Sequence, residues 1–181
     1  AQGTGGPLAL KVVAEAPGLF QRLVIVNSWM WPLGGEPWHP WAKRLLSGDL
    51  GEGLWSLFAP DVRWFLRMLT ARGYRMHRHV YRHYLEPLAG PGRHLAPLAL
   101  ARAMVSDESS LVDLWRRRQT LVDIPTDLVR GLEDPLLGPR SWARWHEAFP
   151  EAIAHRLEDC GHYASEEDPE ALVGILRNLG A

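Results

Sequence analysis

Cysteine is almost absent: Cys160 stands alone in 181 residues, so no internal disulfide can form and nothing in the thiol content indicates an oxidising compartment. Lysine is scarce as well. Lys11 and Lys43 are the only two among 20 basic residues, a compositional bias and not a phosphate-binding set. The net charge is −1, without the clustered basic surface that nucleic acid or an anionic membrane demands, so neither is expected as a partner. No apolar run approaches the roughly 20 residues that cross a bilayer. No charged segment followed by a hydrophobic one opens the chain, and a cytoplasmic location is expected. Ala1 in the first position implies a removed initiator or a start inside a longer reading frame. The length argues for one domain, or for a core that carries an insertion.

What is present begins at the first residue. Ala1-Gln2-Gly3-Thr4-Gly5-Gly6-Pro7 runs directly into an apolar helical stretch. This is the pattern of a nucleophile elbow, a tight strand-to-helix turn with small residues two before and two and three after the reactive position. Ala1, Gly5 and Gly6 fill the small positions, and Gly3 occupies the reactive one.

Leu8, Leu10, Val12 and Val13 predict one apolar face of a helix over Gly6 to Ala16, stopped by Pro17-Gly18. The β-branched run Arg22 to Asn27 then reads as a strand buried on both faces of a parallel sheet. From Trp29 to Val122 the texture turns helical and holds seven of the nine tryptophans. Asp61 and Asp107 are expected to cap helices there, with breaks near Gly34-Gly35, 48–53, Gly73 and Gly90-Pro91-Gly92. After Asp123 the α/β texture returns. Pro125 to Gly131 and Ala152 to Leu157 read as strands around a helix from Arg140 to Ala148. A last helix starts at Asp168-Pro169-Glu170 and shows an apolar face of Ala171, Leu172, Ile175 and Leu176. The layout is α/β, with core segments 1–28 and 123–181 around a helical insertion over 29–122.

Two turns at predicted strand ends concentrate the chemistry. Gly131-Leu132-Glu133-Asp134-Pro135 follows one strand and Asp159-Cys160-Gly161-His162-Tyr163 the next. Catalytic groups in open parallel sheets gather at the carboxyl ends of strands. An acid followed by a histidine, both downstream of an elbow, is the chain order of a nucleophile, acid and base set. Asp134 has a neighbour of the same chemistry in Glu133. His77, His79 and His83 invite a metal reading, but they alternate with Arg75, Arg78 and Arg82 as a solvated face does, and no metal is expected. Cys160 reads as a small buried residue, since no elbow surrounds it.

Four stretches carry a family resemblance: Gly5 to Leu10 after the elbow, Asn27-Ser28-Trp29-Met30-Trp31-Pro32, Gly131 to Asp134, and Gly161-His162-Tyr163 followed by Glu166 to Glu170. The whole chain resembles the haloalkane dehalogenase branch of the α/β-hydrolases, with epoxide hydrolases as close relatives. The resemblance implies an α/β-hydrolase fold with an inserted helical cap, a small apolar substrate such as a haloalkane, water as co-substrate, and no cofactor. In that branch an elbow aspartate displaces halide, and a histidine-activated water hydrolyses the ester. By position, His162 is the base and Asp134 orients it, while Asn27, where another dehalogenase subgroup carries its acid, cannot ionise. The nucleophile position falls on Gly3. Thr4 stands where the branch places an aromatic residue, usually the tryptophan whose N–H holds the halide, and Trp29 and Trp31 are candidate pocket residues.

The strands that precede the elbow in that family have no counterpart among these residues, which implies a partial fold built on the C-terminal strands of the sheet. Three functions follow as expectations. One is a dehalogenase-type hydrolase unable to form its ester, another a non-catalytic truncated remnant, and the third an epoxide hydrolase, for which Tyr74, Tyr81 and Tyr84 supply hydroxyls. In this layout the strand from Leu23 to Val26 is expected to present an unpaired apolar edge, and association through an exposed sheet edge follows.

Overall fold

The computed structural model describes residues 1–46, 62–88, 92, 95–106 and 108–179. The expected caps Asp61 and Asp107 and the expected breaks at 48–53 and Gly90-Pro91 lie outside the described residues. In chain order the elements are β1 (Gln2–Gly3), α1 (Gly5–Glu15), β2 (Leu23–Ser28), α2 (His39–Leu46), α3 (Val62–Leu69), α4 (Arg78–Leu85), α5 (Leu95–Ser106), α6 (Glu108–Arg116), β3 (Thr126–Gly131), α7 (Pro139–Ala148), β4 (Ile153–Leu157), α8 (Ala164–Glu167) and α9 (Pro169–Asn178). Two compact units result, one of Ala1–Trp31, Leu69–Tyr74 and Ser110–Ala181, the other of Pro32–Met68 and Arg75–Ser109.

The first unit is built on a parallel sheet in the order β1-β2-β3-β4. Parallel neighbours need crossover connections, which α1 supplies between β1 and β2 and α7 between β3 and β4. The interior strands are apolar runs that hide both faces, with Ile25, Val26, Leu128 and Val129 nearly inaccessible. Val26, Val129, Leu157, Cys160 and Ala164 form one core cluster, closed by Ala171, Leu172 and Ile175 of α9. Burial of each large aliphatic chain there contributes about 1.5–3 kcal/mol. Leu176, expected on the same face, is exposed. Trp31 is fully enclosed between Trp115 and Trp145, whose rings meet it edge to face at 5.8 and 5.1 Å.

Two expectations are corrected here. The buried face of α1 is Gly6, Pro7, Leu10, Val13 and Ala14, spaced three and four apart, whereas Leu8 and Val12 point to solvent. At 100° per residue Leu8 and Val12 share a stripe that Leu10 and Val13 do not. Nor is β2 an edge: Ala1 and β1 run beside it, the Ala1 ammonium donating to Val24 O at 2.7 Å and Val26 N–H to Ala1 O at 2.9 Å. The elbow residues themselves form the edge strand.

Asp127 lies buried at the start of β3 and holds two cations or donors at once. Arg22 Nη1 meets its Oδ2 at 2.7 Å, and His155 Nε2 its Oδ1 at 2.7 Å.

The second unit is helical. His39 of α2 is buried and its Nε2 lies 3.2 Å from Val105 O of α5, while Arg102 Nε donates to Leu46 O at 2.9 Å. His77 caps α4, and the exposed rings of His77, His79 and His83 stack edge to face along it. Among the described residues no helix is long and apolar enough to cross a membrane.

Candidate active site

The elbow is a turn that only a permissive residue adopts without strain. Gly3 has φ +52°, and Thr4 then enters the helical region as the N-cap of α1. Two contacts lock the turn. Ser28 Oγ donates to Gly3 O at 2.8 Å, and Gly6 presses on Ser28 so closely that a Cβ at position 6 would overlap the Ser28 hydroxyl. Gly6 thus lets helix and strand approach, whereas a Cβ at Gly5 would meet nothing within 4 Å.

The C-terminal ends of β3 and β4 bring the acid and the histidine together. His162 Nδ1 lies 2.8 Å from Asp134 Oδ2, with both side chains buried. The other carboxylate oxygen of Asp134 accepts from Leu136 N at 2.8 Å and Leu137 N at 3.3 Å, an Asx-type turn that fixes the carboxylate. A carboxylate accepts only, so this network puts the imidazole proton on Nδ1 and leaves the lone pair on Nε2. Glu133 is committed elsewhere: its Oε2 accepts from Arg72 N at 2.6 Å.

His162 Nε2 faces the elbow. A Cβ at position 3 would stand 3.1 Å from it. Gly3, His162 and Asp134 therefore form one constellation, with no side chain at position 3.

Around this constellation runs a scaffold that sequence reasoning missed. Asn27, buried and itself at φ +40°, accepts from Gly131 N at 2.9 Å. Its Nδ2 donates to Gly161 O at 2.8 Å and His162 O at 3.0 Å. The residue noted only for being unable to ionise is the clamp between the acid-bearing and histidine-bearing turns. Gln2 Nε2 adds a donor to His162 O at 2.9 Å. The strip Leu69–Ala71 is docked on the histidine turn, with His162 N–H donating to Leu69 O at 2.8 Å. Glu167 accepts from Ala71 N at 2.6 Å, Gly161 N at 2.9 Å and Tyr163 N at 3.0 Å. The sequence signal for Glu167 was its place in the Glu166 to Glu170 stretch; the strip of residues 69–74 left no local signal.

The remaining predicted residues are placed as follows. Thr4 begins α1 and makes no side-chain cap bond. Trp29 and Trp31 are buried, and neither indole N–H has a hydrogen-bond partner among the described residues. Cys160 is buried beneath the site, and burial, reinforced by Glu167, Asp168 and Asp134, pushes its thiol up to about 12, which keeps it a thiol. Burial, then Asp134, pushes the Tyr163 hydroxyl to about 12; its ring meets that of His162 edge to face at 5.5 Å. Tyr74 Oη donates to Glu166 O at 2.6 Å. Among the described residues no group of three or more His, Cys, Asp or Glu could hold a metal ion.

A parallel sheet with crossover helices, a glycine elbow in the left-handed region, and an acid and a histidine in the turns after β3 and β4 define an α/β protein of the hydrolase type of fold. The model of the alpha/beta hydrolase family matches residues 2–175, and the chain belongs to that family. Haloalkane dehalogenases stand among its relatives: Haloalkane dehalogenase 2 of Mycobacterium tuberculosis is 23% identical over 97% of this chain and 61% of its own length. The cis-3-alkyl-4-alkyloxetan-2-one decarboxylase of Shewanella oneidensis is 21% identical over 97% of this chain and 57% of its own length. The haloalkane dehalogenase DatA from Agrobacterium tumefaciens shares the fold with a TM-score of 0.82 and 16% identity, over 98% of this chain and 63% of that one. The chain thus spans about three-fifths of the length of these curated relatives.

Proposed function

We propose that the chain carries the acid-base half of a haloalkane dehalogenase-type hydrolase, with a small apolar substrate such as a haloalkane, water and no cofactor. In this reading His162 is the general base and Asp134 holds its tautomer. Gly3 takes the nucleophile's place, so the covalent ester of the dehalogenase cycle does not form. The helical unit takes the part of the cap, and the protein works in the cytoplasm. The observation that carries the reading is His162 Nε2 directed at position 3, with Asp134 behind it.

The chemistry leaves one role unfilled. Displacing halide from carbon needs a carboxylate held against the carbon, and the dyad supplies a base only. We predict no halide release above the buffer blank when the chain is incubated with 1-bromobutane or 1-chlorobutane and assayed by ion chromatography. Release that disappears in His162→Gln would overturn the assignment of Gly3. The epoxide hydrolase reading needs free tyrosine hydroxyls to polarise the epoxide oxygen, and Tyr74 already donates to Glu166 O.

A further inference from the structure

We propose that Arg130 and Arg156, side by side on neighbouring strands, form a binding site for a tetrahedral dianion of the phosphate class.

The pair is set by register. β3 and β4 run parallel with Arg130 opposite Arg156, and residues opposite each other in a ladder project from the same face of the sheet. Val129 and Leu157, one residue along each strand, point the other way, into the core cluster closed by α9. The arginine face is the one on which α7 lies, with the Arg130 guanidinium 5.7 Å from the centre of the Trp142 ring.

Neither guanidinium donates to a protein acceptor among the described residues, and Arg130 Nε is buried without a partner. Like charges opposite one another across a ladder destabilise it, and a buried donor left unpaired carries its desolvation cost. Burial pushes the Arg130 guanidinium below its ordinary pKa; Asp134 acts against that shift and Arg156 adds to it. Asp134 forms no bond to Arg130, its carboxylate being taken by His162, Leu136 and Leu137.

Arg118 shows what completes such an arrangement in this protein. Its Nε is likewise buried without a partner and its guanidinium lies 4.4 Å from the centre of the Trp115 ring, but its remaining nitrogens donate to Trp115 O at 3.0 Å and Glu147 Oε1 at 3.3 Å. At Arg130 the ring is present and the acceptors are not. A bound anion supplies them. The arginine excess of the chain is a matter of composition; the placement of these two is not.

Charge and geometry select the ligand. Two guanidinium groups carry two positive charges, which a phosphate dianion or a phosphate monoester matches and a single carboxylate does not. Each guanidinium presents a planar fork that meets two oxygens at once, and a tetrahedral ion has oxygens enough for both forks. The Trp142 ring covers one face of the Arg130 guanidinium and leaves the donors at its edge. Arg156 is exposed, so the ion enters from solvent.

The test is a titration of the intact chain with inorganic phosphate, at constant ionic strength and at a pH above the second ionisation of phosphate, read by 13C-detected NMR of the arginine Cζ atoms. The Arg130 and Arg156 signals should shift together and saturate, and acetate should leave them unmoved. Arg156→Gln, at an exposed position, should weaken binding about tenfold or more. Arg156→Lys, which keeps the charge and loses the fork, should weaken it about threefold or more. Arg177→Gln removes the same charge from α9 on the opposite face and should leave the affinity within about twofold. A shift that does not saturate, that acetate reproduces, or that Arg177→Gln weakens as much as Arg156→Gln overturns the proposal. A parallel titration with methyl phosphate separates the sources of the ion. Binding of both ligands identifies a monoester site, binding of inorganic phosphate alone a site for the free ion, and binding of neither overturns the proposal.

Discussion

Glycine accounts for more of this site than any residue with a side chain. Gly3 permits a left-handed backbone, and Gly161 lets the histidine turn lie against the strip Leu69–Ala71. A Cβ at Gly161 would come within 2.6 Å of Ala71 N and 2.7 Å of Leu69 O, both backbone atoms that cannot swing aside. Gly161→Ala should therefore push the strip away, break the bond from His162 N–H to Leu69 O and lower stability by about 2–3 kcal/mol, as overpacking does. Thermal or urea unfolding measures it, and a change within 0.5 kcal/mol of zero would refute the contact. The pattern of small residues around Gly3 was readable in sequence because an elbow fixes it locally. The need for glycine at position 161 was not, because the atoms it would strike belong to residues about 90 positions earlier in the chain, brought close only by the fold.

At the level of elements, the strand ends are tied together by Asn27 and not by the acid and histidine themselves. Its side chain makes three hydrogen bonds that reach the turns after β3 and β4, and all three are buried. Asn27→Ala would leave Gly131 N–H without its partner and withdraw one donor from each of two carbonyls, at a cost of about 2–4 kcal/mol. Beyond the loss in unfolding free energy, the Asp134-bonded Nδ1–H signal of His162 should broaden or vanish, which a generic core defect would not produce. An intact signal would show that the two turns hold each other without the clamp. In the first unit β2, β3, β4, α1, α7 and the start of α9 were legible to within one or two residues, because β-branched runs and proline punctuation are local signals, whereas the short β1 and α8 were not read. The face of α1 was misjudged because Leu8 and Val12 are apolar residues that nothing covers in this unit, and apolarity alone does not distinguish a buried stripe from an exposed one.

At the scale of the molecule, the four strands among the described residues have β1 on one side and β4 on the other, and these two strands differ. β4 carries His155 and exposed Arg156, and a copy paired along it would bring like charges together. β1 carries none. Ala1 directs its backbone groups to β2, and in a parallel ladder the next residue points the opposite way, so Gln2 N–H and C=O face the open edge. A two-fold related copy could pair there antiparallel through the same residue. The contact would span a two-residue strand, so association through it would be weak and concentration-dependent. Sedimentation velocity should show a rising average mass with concentration. Gln2→Pro, which removes the outward N–H while leaving the ladder bonds of Ala1 in place, should move that rise to about tenfold higher concentration. A chain that stays monomeric throughout, or one whose association Gln2→Pro leaves unchanged, would exclude the β1 edge as the surface. Because Gln2 Nε2 also supports His162 O, the Nδ1–H signal of His162 must be followed in the same variant. Its persistence shows that the edge was altered without disturbing the site.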